Sequence, residues 1–249
     1  MKKGDSNRSS RFYAIDLFAG CGGLSEGFRQ AGFEVIAQVE MDKWACQTLI
    51  ARHLYHELRE AGKLNIYKKY LKGDISQEKI LDENPSISRL IQYRVIQASF
   101  GNDETVSILN RIETSKEIHG ASHFHVLLGG PPCQPYSLIG RSRDPFRMTN
   151  DERHFLYTYY LETLERLKPD FFIYENVPGL FTARAKGKDI FKKILCDFSS
   201  LHPPYEIIPP LQKVSDDPRS YILNAADFGV PQNRKRLVLI GYRKSLTKK

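Results

Sequence analysis

Phe12-Tyr13-Ala14-Ile15-Asp16-Leu17-Phe18 runs directly into Ala19-Gly20-Cys21-Gly22-Gly23. An apolar run closed by a glycine-rich turn reads as a buried strand handing the chain to a tight loop. A helix is expected next, over Gly23–Ala31, with Leu24, Phe28 and Ala31 at helical spacing. Glu34–Val39 (EVIAQV) reads as a second strand. Asp42 is then a good N-cap for a helix through Trp44, Leu49 and Leu54. Strand, turn, helix, strand, helix is the opening of a parallel α/β sheet.

The pattern continues outward. His125–Leu128, Phe171–Tyr174 and Arg236–Tyr242 read as strands, and Tyr205–Pro210 as a strand ended by prolines. Helices are expected over Asp151–Leu167 and Gly187–Ser200. Residues 77–122 fit the alternation badly. They read as a helical insertion, with helices over Ser88–Ala98 and Thr105–Ile112 packed outside the sheet. The expected organisation is a basic tail, 1–11, and one domain, 12–249.

Composition agrees with a folded chain. The 249 residues are 41% hydrophobic and 27% charged, which argues against a disordered, collagen-like or coiled-coil protein. No apolar run approaches the ~18–20 residues of a membrane-crossing helix. The start, MKKGDSNRSSR, lacks the apolar stretch of a signal peptide. Cys21, Cys46, Cys133 and Cys196 form no CxxC pair, which is poor for zinc and unlike a secreted disulfide framework. They are expected as thiols in a reducing, cytoplasmic setting. The net charge is +8, with +3 in residues 1–11, +7 in 234–249 and −2 between them. Such a chain suits a polyanionic partner; two solvated basic tails are the plainer reading.

Two ends of the expected sheet carry chemistry. Glycines at 20, 22 and 23 let backbone approach a ligand, beside a helix N-terminus. Ser25 stands where a dinucleotide fingerprint wants its third glycine. Glu40, ending the second strand, is placed to accept two ribose hydroxyls, and Asp74, in Gly73-Asp74-Ile75, an adenine amino group after a third strand. At the other position, HVLLGG (125–130) runs into Pro131-Pro132-Cys133-Gln134-Pro135-Tyr136-Ser137. Prolines fix the backbone around a cysteine, which suits a positioned nucleophile; a small buried thiol is the alternative. Glu175 ends another strand. Arg234 and Arg236 lie two apart on an extended segment, so one faces the site while the other braces a neighbour, in either order. His123 and His125 alternate near His119; a strand entry with incidental histidines is expected there rather than a metal site.

DLFAGCGG, Glu40, GDI, GGPPCQPYS, YENVPG and PQNRKR, in that order, resemble the catalytic half of the DNA cytosine-5 methyltransferases, across about Phe12 to Gly241. The resemblance implies a Rossmann-like methyltransferase fold that binds S-adenosylmethionine and releases S-adenosylhomocysteine. It implies cofactor contacts at Phe18, Gly20, Cys21, Gly22, Gly23, Glu40, Met41, Asp74, Ile75, Pro132 and Leu156. It makes Cys133 the nucleophile, Glu175 the partner of the base, protonated and hydrogen-bonded to its N3, and Arg234 and Arg236 supporting groups. Asn176 would tie its turn to the Pro-Cys loop. Residues 137–148 would close over a flipped base, with Gln134, Ser137, Arg141, Arg143 and Arg147 against substrate. The implied partner is double-stranded DNA in a restriction-modification setting, and the chemistry needs no metal. Family members continue past QxRxR into a target-recognition region and return with a helix that completes the cofactor pocket. A fragment, or a split enzyme with a second polypeptide, is therefore expected, with apolar surface left open near the cofactor. The rival readings are a transfer-RNA cytosine methyltransferase, a nonenzymatic nucleic-acid-binding module, and a nicotinamide dehydrogenase lacking its third glycine.

Overall fold

A computed structural model describes residues 11–101, 104–132, 156–185, 188–211 and 217–247. The strands in chain order are β1 (Phe12–Leu17), β2 (Phe33–Glu40), β3 (Val95–Gln97), β4 (Val126–Gly129), β5 (Phe171–Asn176), β6 (Arg184–Ala185), β7 (Lys188–Asp189), β8 (Tyr205–Ile208), β9 (Ile222–Asn224) and β10 (Lys235–Arg243). The helices are α1 (Gly23–Gln30), α2 (Lys43–Glu60), α3 (Leu64–Leu71), α4 (Gln77–Glu83), α5 (Pro85–Arg94), α6 (Thr105–Ile118), α7 (Leu156–Leu167) and α8 (Ile190–Ser199).

The main sheet runs β3-β2-β1-β4-β5-β10-β8, with β9 pairing beside the start of β10. The first five strands of that order are parallel; β10 is antiparallel to β5 and to β8. The order reverses between β1 and β4. In open α/β sheets the crevice beyond the strand ends at such a reversal is where ligands bind. The glycine turn follows β1 there and Gly130 follows β4.

Alternation along the strands divides the sheet into two faces. Ile15, Leu17, Val39, Leu127, Phe172, Tyr174, Leu237 and Leu239 face α6, α7 and α8 in the main core. Phe172 stacks on Phe198 of α8 at 4.7 Å. The Tyr160 hydroxyl of α7 reaches the carbonyls of Leu127 (2.9 Å) and Ile173 (3.0 Å), bracing β4 against β5. On the opposite face, Ala14, Val35, Val126 and Leu128 lie under Leu24 and Phe28 of α1. Past Ile173 that face stays half-open at Val238, Ile240 and Tyr242, and Phe171 is 45% exposed. Apolar surface is thus left beside the crevice.

Several expected elements form as read. Asp42 caps α2, its Oδ1 accepting from the Ala45 amide at 2.7 Å. Of the helix expected over 151–167, Leu156–Leu167 forms and 151–155 lie outside the described residues. The stretch 77–122 is corrected. The helix expected over Ser88–Ala98 stops at Arg94, and Val95–Gln97 is an edge strand parallel to β2. The α6 residues Ile108, Leu109 and Ile112 are buried in the main core rather than laid outside the sheet. Two β-branched residues, Val95 and Ile96, leave the helical register and pack into the sheet, where branched side chains fit best. Asp74 consequently does not follow a third strand. It sits between α3 and α4, its amide bonded to the Lys69 carbonyl.

Candidate active site

Parallel strands bring their C-terminal ends to one edge, and antiparallel β10 begins at that edge. This places the glycine turn, Glu40, Gly130, Glu175 and Arg236 together. The turn uses left-handed backbone at Phe18 (φ 57°), Gly20 (φ 53°) and Gly22 (φ 77°). A side chain at Gly22 would be strained by the left-handed backbone, and its Cβ would meet the Leu49 side chain at 2.7 Å. Gly20 faces open space, with no atom beyond its chain neighbours within 4 Å of where a Cβ would stand. Cys21 is exposed and free, and exposed Gly23 begins α1.

Glu40 is fixed by backbone. One carboxylate oxygen accepts the Gly20 amide and the other the Asp42 amide, both at 2.8 Å. Each oxygen retains a lone pair for a ligand hydroxyl. Met41 beside it is 66% exposed, and Trp44 73%. Phe18 packs on Phe100, which stacks on Tyr159 of α7, so the helix opened by half-buried Leu156 leans toward the turn. Open backbone at Gly20, an anchored carboxylate and an uncovered apolar side chain fit a nucleoside cofactor. Ile75 packs against the cluster containing Ala19 and Cys46, whereas Asp74 is exposed and its amide stays with the end of α3.

At the β4–β5 side, Glu175 accepts from the Arg236 guanidinium, Nε to Oε1, at 2.7 Å. Its other oxygen lies against Gly130, 2.9 Å from where a Cβ would stand. Arg236 therefore holds the acid while Arg234, exposed, acts on it only through charge. Burial pushes the Glu175 carboxyl above the ordinary carboxylate range, against the pull of Arg236 and Arg234. Asn176 donates to the Pro131 carbonyl at 3.3 Å and accepts the Val177 amide at 2.9 Å. It ties the β5 turn to the start of the Pro-Cys loop. Pro131 is buried and Pro132 half-buried; Cys133, Gln134, Ser137, Arg141, Arg143 and Arg147 lie outside the described residues.

Sequence reasoning missed a buried polar chain beneath the turn. Ser25 Oγ donates to Asp16 at 2.5 Å, Gln38 Nε2 donates to Ser25 at 2.8 Å, and His53 Nε2 meets Gln38 Oε1 at 2.6 Å. An acid inside an otherwise apolar strand was the available signal. His123, His125 and Asp170 cluster at the opposite edge, with ligand atoms within 4.8 Å of one another. His125 Nδ1 there accepts the Tyr13 amide, and Asp170 holds both His123 and Arg243.

Residues 12–80 and 95–249 match the family model for C-5 cytosine-specific DNA methylase. This chain belongs to that family. The family match leaves out 81–94, within α4 and α5, between the two matched stretches. The Type II methyltransferase M.Bpa9945I of Bacillus paralicheniformis is 37% identical over 246 residues, which cover 93% of this chain and 54% of the relative. M.XorII of Xanthomonas oryzae pv. oryzae is 32% identical over 237 residues, 95% of this chain and 42% of that one. The chain spans about half the length of the curated relatives it matches. A solved structure of a putative DNA modification methyltransferase encoded within an E. coli prophage superposes with a TM-score of 0.56 at 26% identity, covering 94% of this chain and 47% of the other. An Entamoeba histolytica methyltransferase shares the fold at a TM-score of 0.53 and 18% identity. The architecture is accordingly a Rossmann-like methyltransferase fold.

Proposed function

We propose that this family member supplies the catalytic half of an enzyme that methylates C5 of cytosine in double-stranded DNA, in a Type II restriction-modification system. The observation that carries the reading is Glu175, held by Arg236 against Gly130 at the same sheet edge as the anchored Glu40.

S-adenosylmethionine, when bound, supplies an electrophilic methyl group. Glu40 would take its ribose hydroxyls, and the turn from Phe18 to Gly23, with Cys21, and Met41 would hold the rest of the nucleoside. Pro132, Ile75 and Leu156 would add contacts to the cofactor, and Asp74, exposed after α3, would be the acceptor for its adenine amino group. The Cys133 thiolate adds to C6 of the target cytosine. The proton on Glu175 meets N3 as charge builds on the ring, and Arg234 or Arg236 meets O2. C5 becomes enamine-like and takes the methyl group. Loss of the C5 proton and β-elimination then release Cys133. A thiol suits this role because part of it ionises near neutral pH. The base must leave the duplex stack to reach these groups, which costs a few kcal/mol. Arg141, Arg143 and Arg147 supply phosphate contacts that offset part of it, with Gln134 and Ser137 beside the flipped base.

The half-open apolar strip from Phe171 to Tyr242 receives a helix from the remaining half of the enzyme, on this polypeptide or a second one. Among the described residues no helix is long and apolar enough to cross a membrane, and the site of action is intracellular DNA. The test is transfer of labelled methyl groups to plasmid DNA and, in parallel, to transfer RNA. Label in DNA at C5 of cytosine supports the reading; label in transfer RNA alone replaces it with the RNA branch.

A further inference from the structure

The hydrogen bonds beneath the glycine turn run one way. Gln38 Nε2 donates to Ser25 Oγ, which leaves the Ser25 hydroxyl proton for Asp16 Oδ2. The Gln38 oxygen in turn meets His53 Nε2 at 2.6 Å. Every donor in the chain thus points toward Asp16, which is 1% exposed. A proton on Asp16 would find no acceptor among the described residues, so the pattern is that of a carboxylate. Among the described residues no cation pairs with it. A buried charge of this kind is little screened by solvent or salt.

The sheet order decides what lies over that charge. β1 runs between β2 and β4, and β5 follows β4. Glu40 is the last residue of β2, Glu175 the last but one of β5, and Asp16 the last but one of β1. Asp16 is in register with Gln38 of β2 and Leu128 of β4. Glu40 and Glu175 both act on it through charge, from its two sides. Glu175 is partly neutralised by Arg236. With a nucleoside at Glu40 and the target cytosine at Glu175, as proposed above, a methyl group passing from one to the other crosses the end of β1, over Asp16.

We propose that the buried Asp16 carboxylate makes this site selective for the sulfonium form of the cofactor over its demethylated product. The inference rests on the S-adenosylmethionine reading. S-adenosylmethionine carries a sulfonium and an ammonium against one carboxylate, whereas the sulfur of S-adenosylhomocysteine is a neutral thioether. In the transfer the electron pair of the S–CH3 bond stays on sulfur, and the methyl carbon bonds to C5 of the cytosine. The attraction of Asp16 therefore holds the methyl donor and lapses once the methyl group has left, which favours exchange of product for fresh donor. Buried as it is, Asp16 touches neither substrate nor cofactor; it is a positioning residue that acts through its charge, while Glu40 acts through hydrogen bonds. Two unit charges several ångströms apart at an effective dielectric constant of about 20 separate the two affinities by on the order of tenfold.

The test is calorimetric titration of the whole chain with each of the two compounds at pH 8, above the value of about 7 to which burial pushes the Asp16 carboxyl. The unaltered chain is expected to bind S-adenosylmethionine about tenfold more tightly than S-adenosylhomocysteine; equal affinities overturn the inference. Asp16→Asn, which keeps the shape and an oxygen for the Ser25 hydroxyl, is expected to weaken S-adenosylmethionine by about that factor and to leave S-adenosylhomocysteine unchanged. A loss shared equally by both compounds gives Asp16 a structural role alone, and an unchanged preference gives it none; either result overturns the inference and leaves the cofactor reading standing. Ser25→Ala removes the hydrogen bond and keeps the charge, so the preference is expected to survive it; its disappearance there would assign the selectivity to the hydrogen bond and overturn the inference. Binding of neither compound by the unaltered chain overturns the cofactor reading itself.

Discussion

At the residue scale the site rests on carboxyls in contrasting settings. Glu40 is anchored by two backbone amides and remains open to solvent on one side. On the proposed cofactor placement, removing it would forfeit two charge-assisted hydrogen bonds to ribose, each worth roughly 1.5–3 kcal/mol. Glu40→Ala is expected to weaken S-adenosylhomocysteine binding at least about tenfold in calorimetry; unchanged affinity would contradict the cofactor placement. Asp16 is buried without a counter-ion, and this has a cost in stability. The folded chain keeps a proton until about pH 7 that an ordinary carboxyl, at 3.8, has already lost. The folded state therefore binds more protons in that window, and stability falls as pH rises from about 4 to 7. Asp16→Asn is expected to remove that dependence and to raise the unfolding midpoint at pH 8, by on the order of a few kcal/mol at most. Chemical denaturation of both proteins at pH 4.5 and pH 8 checks this. An equal slope with pH in the two would show that Asp16 does not titrate there.

At the element scale, β5 and β10 carry Glu175 and its arginine in register, Glu175 opposite Val238 with Arg236 two residues earlier. That register depends on a close approach. A Cβ on Gly241 would stand 1.9 Å from the Phe172 ring, which is fully buried and stacked on Phe198. Gly241→Ala must displace the ring or slide β10. It is expected to cost ~1–3 kcal/mol of stability and to loosen Arg236 from Glu175; thermal melts and the solubility of the variant read the first. The sequence made the strands legible, because buried parallel strands are short apolar runs between turn residues. It also disclosed the edge-facing acids, since Glu40 and Glu175 each end such a run. It misjudged 77–122 because periodicity weighs local pattern only. Val95–Gln97 is three residues long, too short for alternation to register, and only pairing with β2 makes it a strand. The Asp16 chain was hidden for the same reason: its four members are scattered over 38 residues of sequence and meet only when β1, α1, β2 and α2 pack.

At the scale of the whole molecule, the sheet is, among the described residues, closed on one face and partly open on the other. The open strip from Phe171 through Ile173, Val238, Ile240 and Tyr242 adjoins α1 and Glu175. A largely parallel sheet is normally covered on both faces, and the curated relatives are about twice the matched length. We expect residues 1–249 alone to bind cofactor weakly and to methylate plasmid DNA poorly, with sequence-specific activity restored by the remaining half. Robust sequence-specific methylation by 1–249 alone would refute that division. The central claim, however, is that Cys133 attacks the cytosine ring while Glu175 protonates it. The most direct measurement is covalent trapping on duplex DNA carrying 5-fluorocytosine at the target, with cofactor and the assembled enzyme. Fluorine blocks the final elimination, so a denaturation-resistant adduct mapping to Cys133 is predicted, absent in Cys133→Ser and strongly reduced in Glu175→Gln. An adduct formed by Cys133→Ser, or one mapping to Cys21, Cys46 or Cys196, would contradict the account.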